Sequence, residues 1–242
     1  MPVFLPRRRK MSTRLKLNLT DSTGSKIAAP VHDIPLWAFL TAAGLLIASF
    51  FLDNVISNRM PPEGTRFGDL HHLLRSLGYL PTWFFVGILL VTSAPQNLRK
   101  KRWSAAVFIN LTAIVTGIFA ELLKILVRRS DPMMGMESSW KRVPWSEEWW
   151  DGSDLCFPSG HAAVAWGAAI AISRRWPGTT PWMMLLAAGC ASGRVQARGH
   201  NPSDVIASLL LALLVSWWID KSTRKATSTP KTAPPAIPQP TQ

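Results

Sequence analysis

Six apolar stretches recur along the chain, at 34–52, 76–98, 103–120, 155–173, 176–193 and 201–219, with polar segments between them. The last carries Asp204 in its first turn. Each is close to the roughly 20 residues an α-helix needs to cross the hydrocarbon core of a bilayer. A backbone in lipid must satisfy its own hydrogen bonds, so the runs predict helices and not strands. The expected architecture is all-α, an integral membrane six-helix bundle over 34–219. It is preceded by a basic flexible segment, 1–33, and followed by a disordered tail, 220–242, rich in Pro, Thr and Ala beyond residue 226. The first run is too long for a signal h-region and no A-x-A site follows it, so it reads as a retained span. Between the first two runs, Leu70-His71-His72-Leu73-Leu74-Arg75 predicts a short interfacial helix whose histidines read as surface residues.

A net charge of +13 would suit a nucleic-acid partner, but the placement of the charge argues against one. With the N-terminus in the cytoplasm, the inside segments collect Arg7, Arg8, Arg9, Lys10, Arg14, Lys16 and Lys26, then Arg99, Lys100, Lys101 and Arg102. They also collect Arg174 and Arg175, and Lys221, Arg224, Lys225 and Lys231. This bias places both termini in the cytoplasm. The partner is then a bilayer, with no nucleic acid. The long external loop, 128–157, holds Trp140, Trp145, Trp149 and Trp150, which read as interfacial anchors or as a grip on a headgroup. Cys156 and Cys190 predict neither a disulfide nor a metal site.

On this topology, four polar clusters fall together on the external face, at the end of span three, the start of four, the end of five and the start of six. Ionisable groups at membrane depth are costly and mark a functional site. The first cluster runs from Glu121 to Pro132, where Lys124 and Arg128 share a helix face. These cations suit a phosphate, or simply snorkel to the headgroups. Next, Phe157-Pro158-Ser159-Gly160-His161 opens an apolar helix. Its backbone N–H groups and dipole favour an anion, Ser159 adds a hydroxyl, and His161 can donate a proton to a leaving group. The other two clusters form one segment, Gly193 to Asp204, with Arg194, Arg198 and His200. Asn201 suits an N-cap and Pro202 the first helical position. Asp204 then either orients His200 or caps the helix. With no carboxylate cluster for Mg²⁺ and no Cys/His metal spacing, this is an inventory for phosphoryl chemistry without metal or cofactor: cations, and a protein nucleophile in line.

These motifs resemble the type 2 phosphatidic acid phosphatase superfamily, which includes bacterial membrane lipid phosphatases and soluble vanadium haloperoxidases. Pro158-Ser159-Gly160-His161 and Arg194-x5-His200-x3-Asp204 fit its second and third motifs. The first motif, a Lys followed by Arg-Pro, is altered. Asp131 stands directly before Pro132, with Arg129 two residues earlier. The resemblance implies that His200 attacks phosphorus to form a phosphohistidine, Asp204 orients and charges it, and His161 protonates the leaving oxygen. It also implies that Lys124, Arg129, Ser159, the Gly160 backbone N–H and Arg194 hold the phosphate, with Arg128 as rival to Arg129. The expected protein is a multi-pass phosphatase of the cell (inner) membrane with its site facing outward. Its substrate would be a lipid phosphate such as phosphatidic acid, phosphatidylglycerol phosphate, undecaprenyl diphosphate or a lipid A phosphate. A non-catalytic relative that binds or transports such lipids is the alternative.

Overall fold

The computed structural model describes residues 31–62, 65–132, 142–145 and 154–228. Trp140, Trp149 and Trp150, residues 1–30 and residues 229–242 lie outside the described residues, and residues 220–228, expected in the disordered tail, instead continue the last helix, whose polar end carries Asp220 and Arg224 into ion pairs. A helix occupies each expected apolar run: α1 (Leu36–Ser57), α3 (Leu80–Thr92), α4 (Gln96–Val127), α5 (Gly160–Arg175), α6 (Thr180–Gln196) and α7 (Pro202–Ser228). The expected interfacial segment forms α2 (Asp69–Ser76). Three of these helices, α1, α4 and α7, are long and apolar enough to cross a membrane by themselves. The pair α2 and α3, bent by 72°, adds a fourth if counted as one span.

Six full spans are therefore not reached by length. Helix α5 has 16 residues, about 24 Å at the usual rise, against about 30 Å of hydrocarbon. Two physical reasons stand out. The apolar run expected from residue 155 begins with non-helical chain through Ser159, so the helix starts only at Gly160. In addition, α5 lies inside the protein, against α4, α6 and α7, and a sheathed helix need not match the lipid thickness. Every residue from Ala162 to Ala171 is buried. Small side chains allow this close approach, as between membrane helices generally. A Cβ on Gly167 would come within 2.9 Å of the Thr116 hydroxyl and 3.1 Å of the Thr112 carbonyl. The hydroxyls of Thr112 and Thr116 are themselves satisfied by the carbonyls of Phe108 and Thr112.

Large apolar side chains point outward instead, among them Leu36, Phe51, Phe85, Leu122 and Trp182, as expected of a lipid-facing surface. The two ends of the described chain meet at one end of the bundle. The His32 N–H bonds to the Arg174 carbonyl, and Arg224 donates to Asp33 and to the Val31 carbonyl. The opposite end gathers the C-termini of α1, α4 and α6 and the N-termini of α5 and α7, together with the α2–α3 corner.

Candidate active site

The polar clusters expected to converge do converge, but their arginines are sorted in a way the spacing does not reveal. Helix α4 ends at Val127, and Arg128 takes a left-handed conformation (φ 55°) as its C-cap. That turn sends Arg128 and Arg129 in different directions. The Arg128 guanidinium donates to the carbonyls of Val143 and Pro144, both at 3.0 Å, and lies 5.0 Å over the Trp145 ring. It ties down the external loop. Arg198, also left-handed (φ 57°), ties another, donating to the carbonyls of Met60 and Pro61.

Arg129 turns inward and is 1% exposed. One of its amino groups donates to Asp204 Oδ1 at 2.6 Å and to the Ser203 hydroxyl. The other donates to Asp53 Oδ2 at 2.8 Å. Asp53, at the end of α1, also accepts from the backbone N–H and hydroxyl of Ser203. Burial opposes the positive charge of Arg129, but Asp204 and Asp53 outweigh it and move its pKa upward. The expected place of Arg129 in the phosphate cradle is therefore corrected. With its donors committed to carboxylates and a hydroxyl, it stands behind the His200–Asp204 pair. A buried ion pair of this kind is tolerated only when its remaining polar atoms are also bonded, as here.

His200 is buried, and its Nδ1 lies 2.8 Å from the Cys156 carbonyl oxygen. A carbonyl only accepts, so Nδ1 carries a proton, and the tautomer this bond selects in a neutral ring is the one with its lone pair on Nε2. The carboxylate Oδ2 of Asp204 is farther from Nδ1, at 3.7 Å, and accepts instead from the Asn201 backbone N–H at 2.7 Å. Of the two roles weighed for Asp204, orienting His200 or capping the helix, its hydrogen bond to the backbone is the capping one, and the imidazole bonds to the Cys156 carbonyl. Asp204 sits at the third position of α7 and bonds back to the helix start, the carboxylate half of a capping box. It faces His200 only as a nearby charge. The orienting acceptor is the Cys156 main chain, held in turn by an isolated antiparallel bridge between Ser130 and Leu155 and by Cys156 N–H to the Arg129 carbonyl. The Cys156 thiol donates to the Ser130 carbonyl. Burial and the Asp204 charge push its pKa up, so it stays a thiol. Both cysteines are free.

Ser159 is the N-cap of α5, its hydroxyl accepting from the Ala162 N–H. Its carbonyl accepts from Ser208, and its N–H donates to the Asp204 carbonyl, so α5 and α7 start locked together. A Cβ on Gly160 would run into the Glu121 carboxylate, so that exposed side chain would have to swing aside. Glu121 holds the Lys124 ammonium at 3.1 Å. The guanidinium of Arg194 passes over Gly199, where a Cβ would meet it at 3.0 Å. His161 packs edge-on against Tyr79 with centroids 4.8 Å apart. The α2–α3 corner presses on it so closely that a Cβ on Gly78 would approach the His161 Cβ to 2.7 Å.

Lys124, Arg194 and His200 all lie within electrostatic reach of His161. Thus His161, His200, Lys124, Arg194, Ser159 and Gly160 come together, while Arg128 and Arg129 do not join them. Three contributors escaped the sequence reading: Asp53, the Cys156 carbonyl and Arg75, which is also within reach of His161. Asp53 had one visible signal, a lone acid ending an apolar run. A main-chain carbonyl has none.

A cleft of about 550 Å³ leads away from this cluster. Gly160, His161 and Glu121 line one part of it. Ile114, Gly117, Ile118, Leu122 and Ile125 of α4 line the rest, with Tyr79, Leu80 and Pro81 opposite. From Ile125 back to Ile114 the cleft follows α4 for about 16 Å into the apolar part of the bundle.

Comparison with known proteins agrees with this architecture. Residues 105–228 match the family model described as PAP2 superfamily. No curated protein matches the chain. A solved structure, described as the first transmembrane PAP2-type phosphatidylglycerolphosphate phosphatase from Bacillus subtilis, superposes with a TM-score of 0.52 at 18% sequence identity. The match covers 79% of this chain and 96% of that chain. At this identity the likeness speaks for a shared fold.

Proposed function

Because the chain belongs to the PAP2 superfamily, we propose that it is a metal-independent lipid phosphatase of the cell membrane, acting through a phosphohistidine on His200. The observation that carries the lipid part of this reading is the cleft between α3, α4 and α5. It joins a polar end at His161 to an apolar wall along α4. That shape suits a ligand with a phosphate at one end and hydrocarbon at the other.

In this mechanism the phosphate rests on the N-terminus of α5, where first-turn N–H groups lack intrahelical partners. Lys124 and Arg194 neutralise its oxygens. His200 Nε2 attacks phosphorus while the bond to the lipid oxygen breaks, and His161 gives that oxygen a proton. The proton on Nδ1 stays on the ring, donated in a hydrogen bond to the Cys156 carbonyl, and the charge gained by the ring faces Asp204. Water then attacks the phosphohistidine, His161 takes the water proton, and phosphate leaves. The end of the bundle bearing Arg174 and Arg224 faces the cytoplasm by the positive-inside rule, which puts the site on the outer face.

The test is phosphate release by purified protein in excess EDTA from a panel of lipid phosphates, with glycerol phosphate as a tail-less comparison. Release from at least one lipid, and far less from glycerol phosphate, is expected. No release from any lipid would overturn the enzyme reading and leave a non-catalytic lipid-binding relative. Activity lost in EDTA and restored by Mg²⁺ would overturn the chemistry.

A further inference from the structure

Arg75 lies in the last turn of α2, the helix laid across the C-terminal half of α6. Two contacts fix where it stands. Leu74 and Arg75 follow His71 by three and four residues, and His71 and Leu74 pack on Gly193 and Gly189, where added Cβ atoms would meet them at 3.3 and 3.0 Å. Gly193 immediately precedes Arg194. Three residues after Arg75, Gly78 presses against His161. Arg75 is thus bracketed by Arg194 on one side and His161 on the other, and its charge reaches both.

The Arg75 guanidinium is incompletely bonded. Its Nε is buried and has no partner, as are Arg194 Nε and His161 Nε2. Among the described residues, neither arginine is ion-paired with an acid. Two guanidinium groups that repel each other, each with a buried donor unsatisfied, are doubly unfavourable. One oxyanion between them would relieve both costs. Meanwhile the residue directly before Pro132 is the acid Asp131, and Arg129 is committed to Asp53 and Asp204.

We propose that Arg75 is the third cation of the phosphate cradle, contacting the phosphate of the substrate together with Lys124 and Arg194. The cradle borrows from α2 what Arg129, turned inward, does not supply. This rests on the phosphatase reading and adds a residue to it. A contact between Arg75 and bilayer headgroups would use the same phosphate chemistry, so the experiment excludes phospholipid.

The full chain, purified in a maltoside detergent free of phospholipid, is titrated with orthovanadate by calorimetry. The variants are R75A, R75Q and R75K, with L70A on the exposed face of the same helix as control. Thermal unfolding of each is measured in parallel, and phosphate release from the best lipid substrate is assayed alongside. Loss of one charged hydrogen-bonding group is expected to weaken vanadate binding at least about tenfold in R75A and R75Q. R75K should recover part of the loss, because it keeps the charge without the planar fork, and L70A should bind like the wild type. Should R75A fail to fold, R75Q carries the comparison at nearly the original size. Binding in R75A or R75Q equal to the wild type, with turnover intact, would overturn the role of Arg75 and leave the phosphatase reading standing. A wild type that neither binds vanadate nor releases phosphate would overturn both.

Discussion

Arg174 at one end of the bundle and the pair Arg75 and Arg194 at the other are bonded in opposite ways. At the end where the described chain begins and finishes, Arg174 is buried. Its guanidinium donates to the His32 carbonyl, to the carbonyl and hydroxyl of Ser216 and to Asp220 at 2.8 Å. At the other end, Arg75 and Arg194 keep buried Nε groups without partners. Between these extremes stands Arg129, at the site end but saturated like Arg174. Membrane proteins hold few buried cations, and those they hold are paired or functional. A saturated arginine holds helices together, while the proposed mechanism assigns to the unsaturated ones, beside a helix N-terminus and two histidines, the binding of an anion.

Substitutions can break or sharpen this contrast. The largest expected effect on turnover is at the unsaturated end. Arg194→Ala should lower kcat/KM by about 100- to 1000-fold with thermal unfolding nearly unchanged, as activity and melting curves on the same preparation would show. A large fall in stability with little loss of activity would place Arg194 with the saturated class.

Arg174→Ala should do the reverse. Leaving Asp220 buried beside Arg224 alone should cost about 3–5 kcal/mol, read as a lower unfolding temperature, while the folded fraction keeps its kcat. Asp53→Asn should fall between the two, because it removes one of the charges holding Arg129 and so loosens the support behind Asp204. Both lower stability and a reduced kcat are expected, with KM little changed. Arg128→Ala should matter least for turnover, and less than Arg129→Ala, since its contacts are with the 143–145 loop segment. Equal effects from the two would reopen the sorting of that pair. Smallest of all is the response to thiol alkylation. With its pKa raised, Cys156 holds little thiolate at neutral pH, so maleimide should label it slowly in the folded protein and quickly after unfolding, as mass spectrometry would show.

Much of the frame was legible in the sequence because a membrane imposes a simple rule on the chain. Each apolar run became a helix, and the 70–75 segment became α2. Pro202 opens α7 as its type predicts. The clusters around Lys124, His161, Arg194 and His200 meet because successive helices run in opposite directions and bring every second loop to one end of the bundle. The partners of each arginine were not legible. Arg128 and Arg129 are adjacent and chemically identical, and only the left-handed turn at Arg128 sends one to the loop and the other into the core. Asp53 finds Arg129 across 76 residues of chain. The acceptor for His200 is a main-chain oxygen of Cys156, fixed by a bridge between two loop segments. Asp204 matched its motif, yet its strongest bonds go to Arg129 and to the start of its own helix.

His200 is the nucleophile on which the proposed mechanism depends. The decisive measurement compares phosphate release from the best lipid phosphate by wild type and His200→Ala, purified side by side in excess EDTA and shown to unfold at similar temperatures. Steady release by the wild type and none above background by the variant is expected. Release by His200→Ala at the wild-type rate would contradict that mechanism.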